Sequence, residues 1–129
     1  MKETGPILVP LDGSDLAEGA LPWAAALARL LGAPLLLLSV WEGADKDLAK
    51  SFPTLRDDVT AKAQEHFGAY LERARGTIDD GITAETRVRE GEPGEAIPAA
   101  AAEAGARAIV IATHGRSGIG RWLYGSTAS

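Results

Sequence analysis

The sequence predicts an α/β domain built on an open parallel sheet, and three observations carry that prediction. Apolar runs recur at residues 7–11, 35–41 and 108–112, each of the length and continuity expected of a strand covered on both faces. Stretches with a helical apolar stripe lie between them. Turn signals mark the switches: Asp12-Gly13-Ser14-Asp15, Gly32, Gly76, Gly91-Glu92-Pro93-Gly94 and Gly105. Strands alternating with helices in the order βαβαβαβ imply parallel pairing and right-handed crossovers.

The first run, Ile7-Leu8-Val9-Pro10-Leu11, reads as a buried strand whose proline belongs at its end, because proline removes a ladder donor. Ser14 is placed to cap a helix that runs to about Leu31. Its expected inner face is Ala20, Trp23, Ala24, Leu27 and Leu31, with a kink or a lost hydrogen bond at Pro22 and a stop at Gly32. Residues 35–41 form the second strand and residues 42–54 a loop. Leu55, Val59, Ala63, Phe67, Tyr70, Leu71 and Ala74 trace one stripe of a long helix ending near Gly76. Residues 83–89 alternate polar and apolar, as an edge strand does. An Ala-rich helix over 95–104 and a buried strand over 108–112 follow. Residues 113–124 read as a loop, and Gly125-Ser126-Thr127 as the start of a further helix.

Composition narrows the function. The chain has 129 residues and suits a single domain spanning 1–129. It has no cysteine and two histidines, which excludes disulfide, thiolate-metal and Cys-nucleophile chemistry and disfavours a His-rich metal site; no metal ligands are assigned. The net charge of −5 argues against nucleic-acid binding. Residues 34–40, the longest apolar run, are too few to span a bilayer, and the first residues lack the shape of a signal peptide. A cytoplasmic protein is expected. All 18 acids precede residue 104, whereas the remainder carries Arg107, His114, Arg116 and Arg121. A locally cationic, glycine-rich end suits a small anion.

Two loops leave strand carboxyl ends, where open α/β sheets bind ligands. The loop after residue 112 carries Gly115, Gly118, Gly120 and Gly125, then Ser126 and Thr127 at the expected helix start. Such glycines allow an anion-binding nest of N–H groups, and a helix start adds unpaired donors. No Gly-Lys-Ser/Thr and no three-glycine dinucleotide fingerprint is present. The other loop is acidic: Asp12, Asp15 and Glu18 repel phosphate. Asp12 therefore faces a base, a ribose or a metal, unless it is only a turn-former. Arg116 and Arg121 are either phosphate contacts or solvated charges. His114 has no Ser, Cys or acid paired with it in sequence, so no catalytic residue is assigned. Trp23 reads as core, and Trp41 either as core or as an edge of the ligand pocket.

These two loops resemble those of the universal stress proteins. Ile7-Leu8-Val9-Pro10-Leu11-Asp12-Gly13-Ser14 is similar to the family's first strand and loop. Ala112-Thr113-His114-Gly115, nine residues, then Gly125-Ser126 is similar to its nucleotide-binding motif, with Ala112 in place of the first glycine. The resemblance covers the whole chain. It implies a Rossmann-like, adenine nucleotide alpha hydrolase-like sheet of strand order 3-2-1-4, C-terminally short, with the final strand missing. It also implies that Asp12 and the backbone of Val40 contact adenine, that Pro10 lines the pocket, and that Ile111 and Ala112 lie by the ribose. Gly115, Gly125, Ser126 and Thr127 would hold the phosphates, with Mg²⁺ or Mn²⁺ bridging phosphate oxygens. Partners would be an adenine nucleotide and a second copy or tandem domain, with no nucleic acid and no membrane.

The function expected is therefore an ATP-binding regulatory domain, a ligand-dependent conformational or oligomeric switch in a stress response. Any ATP hydrolysis should be slow. Two alternatives stand beside it. One is a module of the same family that acts through protein contacts without nucleotide. The other is an adenylating enzyme of the ATP pyrophosphatase type, whose phosphate loop Asp12-Gly13-Ser14-Asp15 resembles superficially, with one glycine where that loop has two.

Overall fold

The computed structural model describes residues 4–114 and 120–125. Its order is β1 (Ile7–Pro10), α1 (Asp15–Glu18), α2 (Ala20–Leu31), β2 (Leu35–Trp41), α3 (Lys46–Ser51), α4 (Pro53–Arg75), β3 (Ala84–Glu90), α5 (Pro93–Ala104), β4 (Ala108–His114) and β5 (Gly120–Gly125). The sheet order is β3-β2-β1-β4-β5. The first four strands are mutually parallel, in the expected order 3-2-1-4. No fifth parallel strand is among the described residues. β5 runs antiparallel to β4, with His114 opposite Gly120 and Ile109 opposite Gly125.

The central strands are buried on both faces because each face meets a helical layer. Ile7, Val9, Leu35, Leu37, Ala108 and Val110 pack with Ala20, Ala24 and Ala28 of α2 and with Leu71 and Ala74 of α4. Leu8, Leu36 and Leu38 pack with Ala100 and Ala101 of α5. Alternate residues of a strand project to opposite faces, so unbroken apolar runs were required. Small alanines on α2 and α5 let those helices lie close to the sheet.

Four expectations are corrected. The first helix does not kink at Pro22; it breaks into α1 and α2 at Gly19. A proline ring collides with the carbonyl four residues back, here that of Glu18, so the helix restarts with Pro22 in its first turn, where an N–H has no partner to lose. The inner face of α2 is Ala20, Leu21, Ala24 and Ala28, with Leu27 packed against the core as expected, whereas Trp23, 60% exposed, and Leu31 are not core. The segment 42–54 contains the six-residue α3, and the segment 113–124 ends in β5 rather than being loop throughout. Gly32 closes α2 in the left-handed conformation, φ 63°, as a stop signal should.

Candidate functional site

β1 is the point where the strand order turns: β2 and β3 extend to one side and β4 lies on the other. The pairings around it are unequal. β1 pairs with β2 from Ile7 through Pro10, but with β4 only at Ile7 and Leu8. Pro10 supplies a cause. The Ile7 N–H donates to Pro34 O and the Leu11 N–H to Leu38 O, so odd-numbered donors of β1 serve the β2 side. The donor at position 10 would serve β4, and proline has none. Beyond Leu8 the two strands part, and a cleft of about 210 Å³ opens at their carboxyl ends.

Five sequence-predicted residues line this cleft together: Pro10, Asp12, Val40, Ile111 and Ala112. Leu11, Ala17, Leu38, Pro93 and Ile97 complete it. Sequence reasoning missed these five because apolar residues in strands and helices look like core. The one available signal was Pro93, whose place in the first turn after Gly91-Glu92 sets the start of α5 at the carboxyl edge of the sheet. Ala112 needs no glycine-like backbone, since no described non-glycine residue has a positive φ. Trp41 is not part of the lining. It shares the strand parity of Leu35 and Leu37, which face α2 and α4, whereas Val40 shares that of Leu36 and Leu38. Its buried indole Nε1 has no hydrogen-bond partner among the described residues.

Among the described residues Asp12 is the only charged one in the lining. Gly13 turns the chain with φ +89°, a conformation that glycine adopts without a Cβ penalty. That turn brings the Ser14 N–H and hydroxyl back onto Asp12 Oδ1, at 2.9 and 2.5 Å. The Ser14 hydroxyl, the stronger influence, and the N–H hold the Asp12 carboxyl below its ordinary value, against an opposing effect of burial. Asp12 is thus a fixed, ionised acceptor at the mouth of an apolar cleft. Ser14 Oγ in turn accepts from the Ala17 N–H at 3.1 Å and caps α1. These internal bonds occupy the groups that an adenylating loop would turn toward phosphate. Beneath the turn, the Ser39 hydroxyl donates to Leu11 O at 2.8 Å.

The remaining expected residues are described only in part. Gly125 ends β5 opposite Ile109, on the amino side of Ile111. Arg121 stands opposite Thr113 in the same ladder. Gly115, Arg116, Ser126 and Thr127 lie outside the described residues. Two larger depressions, of about 350 and 470 Å³, lie at the opposite end of the sheet near Ile82 and Thr83. They are walled partly by exposed ion-pair partners, Arg29 with Asp79 and Arg75 with Glu72. The smaller cleft is the stronger candidate because it sits at the switch point, where open α/β sheets bind ligands. Among the described residues no cluster of three or more His, Asp or Glu could hold a metal, and no helix is long and apolar enough to cross a membrane.

The sequence matches the universal stress protein family over residues 3–129. The chain belongs to that family. It is 30% identical over 131 residues to universal stress protein YxiE of Bacillus subtilis (strain 168), covering 95% of this chain and 87% of that one. Among solved structures it is similar to the hypothetical protein MJ0577, with a TM-score of 0.73, 25% identity, and coverage of 92% of this chain and 81% of that one. It is also similar to a universal stress protein from Archaeoglobus fulgidus solved in complex with dAMP, with a TM-score of 0.57, 27% identity, and coverage of 84% and 80%. A universal stress protein fold of four parallel strands therefore underlies the cleft.

Proposed function

We propose that this chain binds an adenine nucleotide, ATP, as a regulatory ligand, with the base in the cleft between β1 and β4. The observation that carries the reading is the joining of an apolar, switch-point cleft with one pre-ionised acceptor, Asp12, held by Ser14. A flat heterocycle with exocyclic N–H donors fits that chemistry: apolar walls cover its faces and a carboxylate accepts from its edge. At about 210 Å³ the cleft is smaller than the roughly 300–1,000 Å³ typical of whole-ligand sites. It holds a base, and the sugar and phosphates extend past Ile111 and Ala112. The relative solved with dAMP supports the same class of ligand.

In this reading the phosphates extend toward the segment after β4, where Gly115 and Arg116 follow and where Ser126 and Thr127 add hydroxyls. Mg²⁺ or Mn²⁺ would be held through phosphate oxygens rather than in a protein cage. Ligand bound only to the folded state stabilises it by mass action, and this gives the switch its energy, read out by a second copy or a tandem partner in the cytoplasm. A second reading, action through protein contacts without nucleotide, draws on Trp23 and Leu30, which are 60% and 80% exposed on α2.

Calorimetric titration with ATP and Mg²⁺, with GTP as control, separates the two. Saturable ATP binding weakened at least roughly tenfold by Asp12→Ala is expected, the loss of a charge-assisted hydrogen bond. A folded chain that gives no heat with ATP refutes the nucleotide reading and leaves the protein-contact one.

A further inference from the structure

We propose that Tyr70 is a positioning residue for the cleft: from α4 its hydroxyl holds Glu18 and so fixes where Asp12 and Ala17 stand against the ligand. The inference rests on the nucleotide reading above and assigns the device that orders its acceptor loop.

The need for such a device follows from the length of α1. Four residues cannot persist as an isolated helix, because nucleation costs more than so few bonds return. At one end α1 is capped by Ser14. At the other it is cut off from α2 at Gly19. Its placement therefore depends on tertiary contacts. Ala17 supplies one, buried against the sheet and lining the cleft. Tyr70 supplies another. Its hydroxyl donates to Glu18 Oε2 at 2.9 Å, joining positions 52 residues apart in a partly buried bond.

The same hydroxyl also sits close to the start of the turn. Burial, the Glu18 bond and the Glu18 charge push its pKa up to about 12, and the Asp12 charge adds to this, while the Gly13 backbone N–H acts in the opposite sense. Tyr70 thus stays a donor across the physiological range and stands beside both ends of the segment from Asp12 to Glu18. Its ring packs on the core cluster formed by β1, β2, α2 and α4. A rigid platform one layer behind the site therefore carries the acceptor loop, and a shift of α4 would be felt at Asp12.

Tyr70→Phe keeps the ring and removes the hydroxyl. Glu18→Ala removes the acceptor, and Glu18→Gln retains an oxygen that can accept. Amide hydrogen exchange without nucleotide reads the loop directly. Exchange over residues 13–18 should be at least roughly tenfold faster in Tyr70→Phe and Glu18→Ala and near wild type in Glu18→Gln. ATP affinity, measured well below the melting temperature of every variant, should fall roughly 5- to 20-fold in the first two and recover in Glu18→Gln. In an Asp12→Ala background Tyr70→Phe should have a clearly smaller effect, since one of the two groups it positions is gone. Unchanged exchange overturns the proposal. So does faster exchange with unchanged affinity, or a full Tyr70→Phe effect in the Asp12→Ala background, since a merely structural role predicts either. A wild-type chain that does not bind ATP refutes the nucleotide reading itself, and with it the claim on affinity.

Discussion

Replacing Ser39 with alanine should destabilise the domain and loosen the floor of the cleft at once. Ser39 is 1% exposed, the one buried polar side chain in the described core, and its hydroxyl donates to Leu11 O at 2.8 Å. Leu11 is itself 2% exposed and is followed directly by Asp12. Two contributions set the size of the effect. The hydrogen bond is worth about 1 kcal/mol net, and leaving Leu11 O short of a partner in an apolar setting adds a share of a desolvation cost of about 1–3 kcal/mol. Alanine gains a little in return, since no hydroxyl is desolvated. The expected loss is about 2 kcal/mol.

For a chain of this length each kcal/mol moves Tm by about 3–5 °C, so calorimetry should show a fall of about 6–10 °C. Urea unfolding should show a lower midpoint with an unchanged slope, since the surface exposed on unfolding is the same. Ser39→Cys keeps a weak donor of similar size and should lie between the two. A Ser39→Ala protein within about 0.5 kcal/mol of wild type, inside the range of ordinary surface substitutions, would refute the reasoning. The buried hydroxyl would then repay only its own desolvation, and the exit of β1 would be held by the Leu11 N–H to Leu38 O bond, at 2.7 Å, alone.

Three further outcomes follow from the site. Ile97→Trp fills the cleft from α5, and calorimetry should show ATP affinity reduced more than about tenfold in a chain whose circular dichroism is unchanged; retained affinity would place the base elsewhere. Asp12 has its pKa lowered from 3.8 in the folded chain, so its contribution to stability is present above the unfolded value and is lost as pH falls through the folded one. The ratio of ATP affinities of wild type and Asp12→Asn, in which titration of the ligand cancels, should accordingly be flat from pH 5 to 8 and fall only below about pH 4; a ratio that changes near neutrality would exclude Asp12 as the titrating group. Pro10→Ala restores the donor facing β4, so amide exchange should show a newly protected N–H at position 10 and titration a weaker ATP complex; an unprotected amide there would mean that the proline does not set the splay.

The fold was legible where one physical signal was strong. Residues 35–41 form a strand in the bounds expected because a run covered on both faces has no polar residue to blur its ends, apart from Ser39, which the fold uses as a latch. The long α4 was legible from its stripe. Trp23 was misread because the break at Gly19 restarts the helix and centres its buried face on Ala20, Ala24 and Ala28. α3 was missed because six residues give too little periodicity to separate from a polar loop. β5 was missed because glycines at 115, 118 and 120 signal loop, while its partner, β4, gives no local sign of antiparallel pairing. Half of the cleft was legible, from the resemblance of the two loops to those of the universal stress proteins. Leu38, Pro93 and Ile97 were not, since what makes an apolar residue a ligand wall is the absence of a neighbour above it, a property of the fold.

The location of the site and the chemistry of the site have separate origins in this chain. Location comes from the backbone. A proline at the fourth position of β1 leaves the strand paired with β2 to its end but with β4 only as far as Leu8, so the sheet opens on one side of its central strand. Any sequence with that topology and that missing donor would have a crevice there. Chemistry comes from the next residues, where Gly13 reverses the chain and Ser14 is spent twice, once on Asp12 and once on the cap of α1. The carboxylate is thereby ionised and aimed by bonds only two residues long, while α1 itself is held by a helix that follows more than fifty residues later. Local bonds set what the acceptor is, and the long-range bond to Tyr70 sets where it stands. A substitution within the turn should therefore change which ligand is preferred, and one on α4 should change only how tightly the same ligand is held.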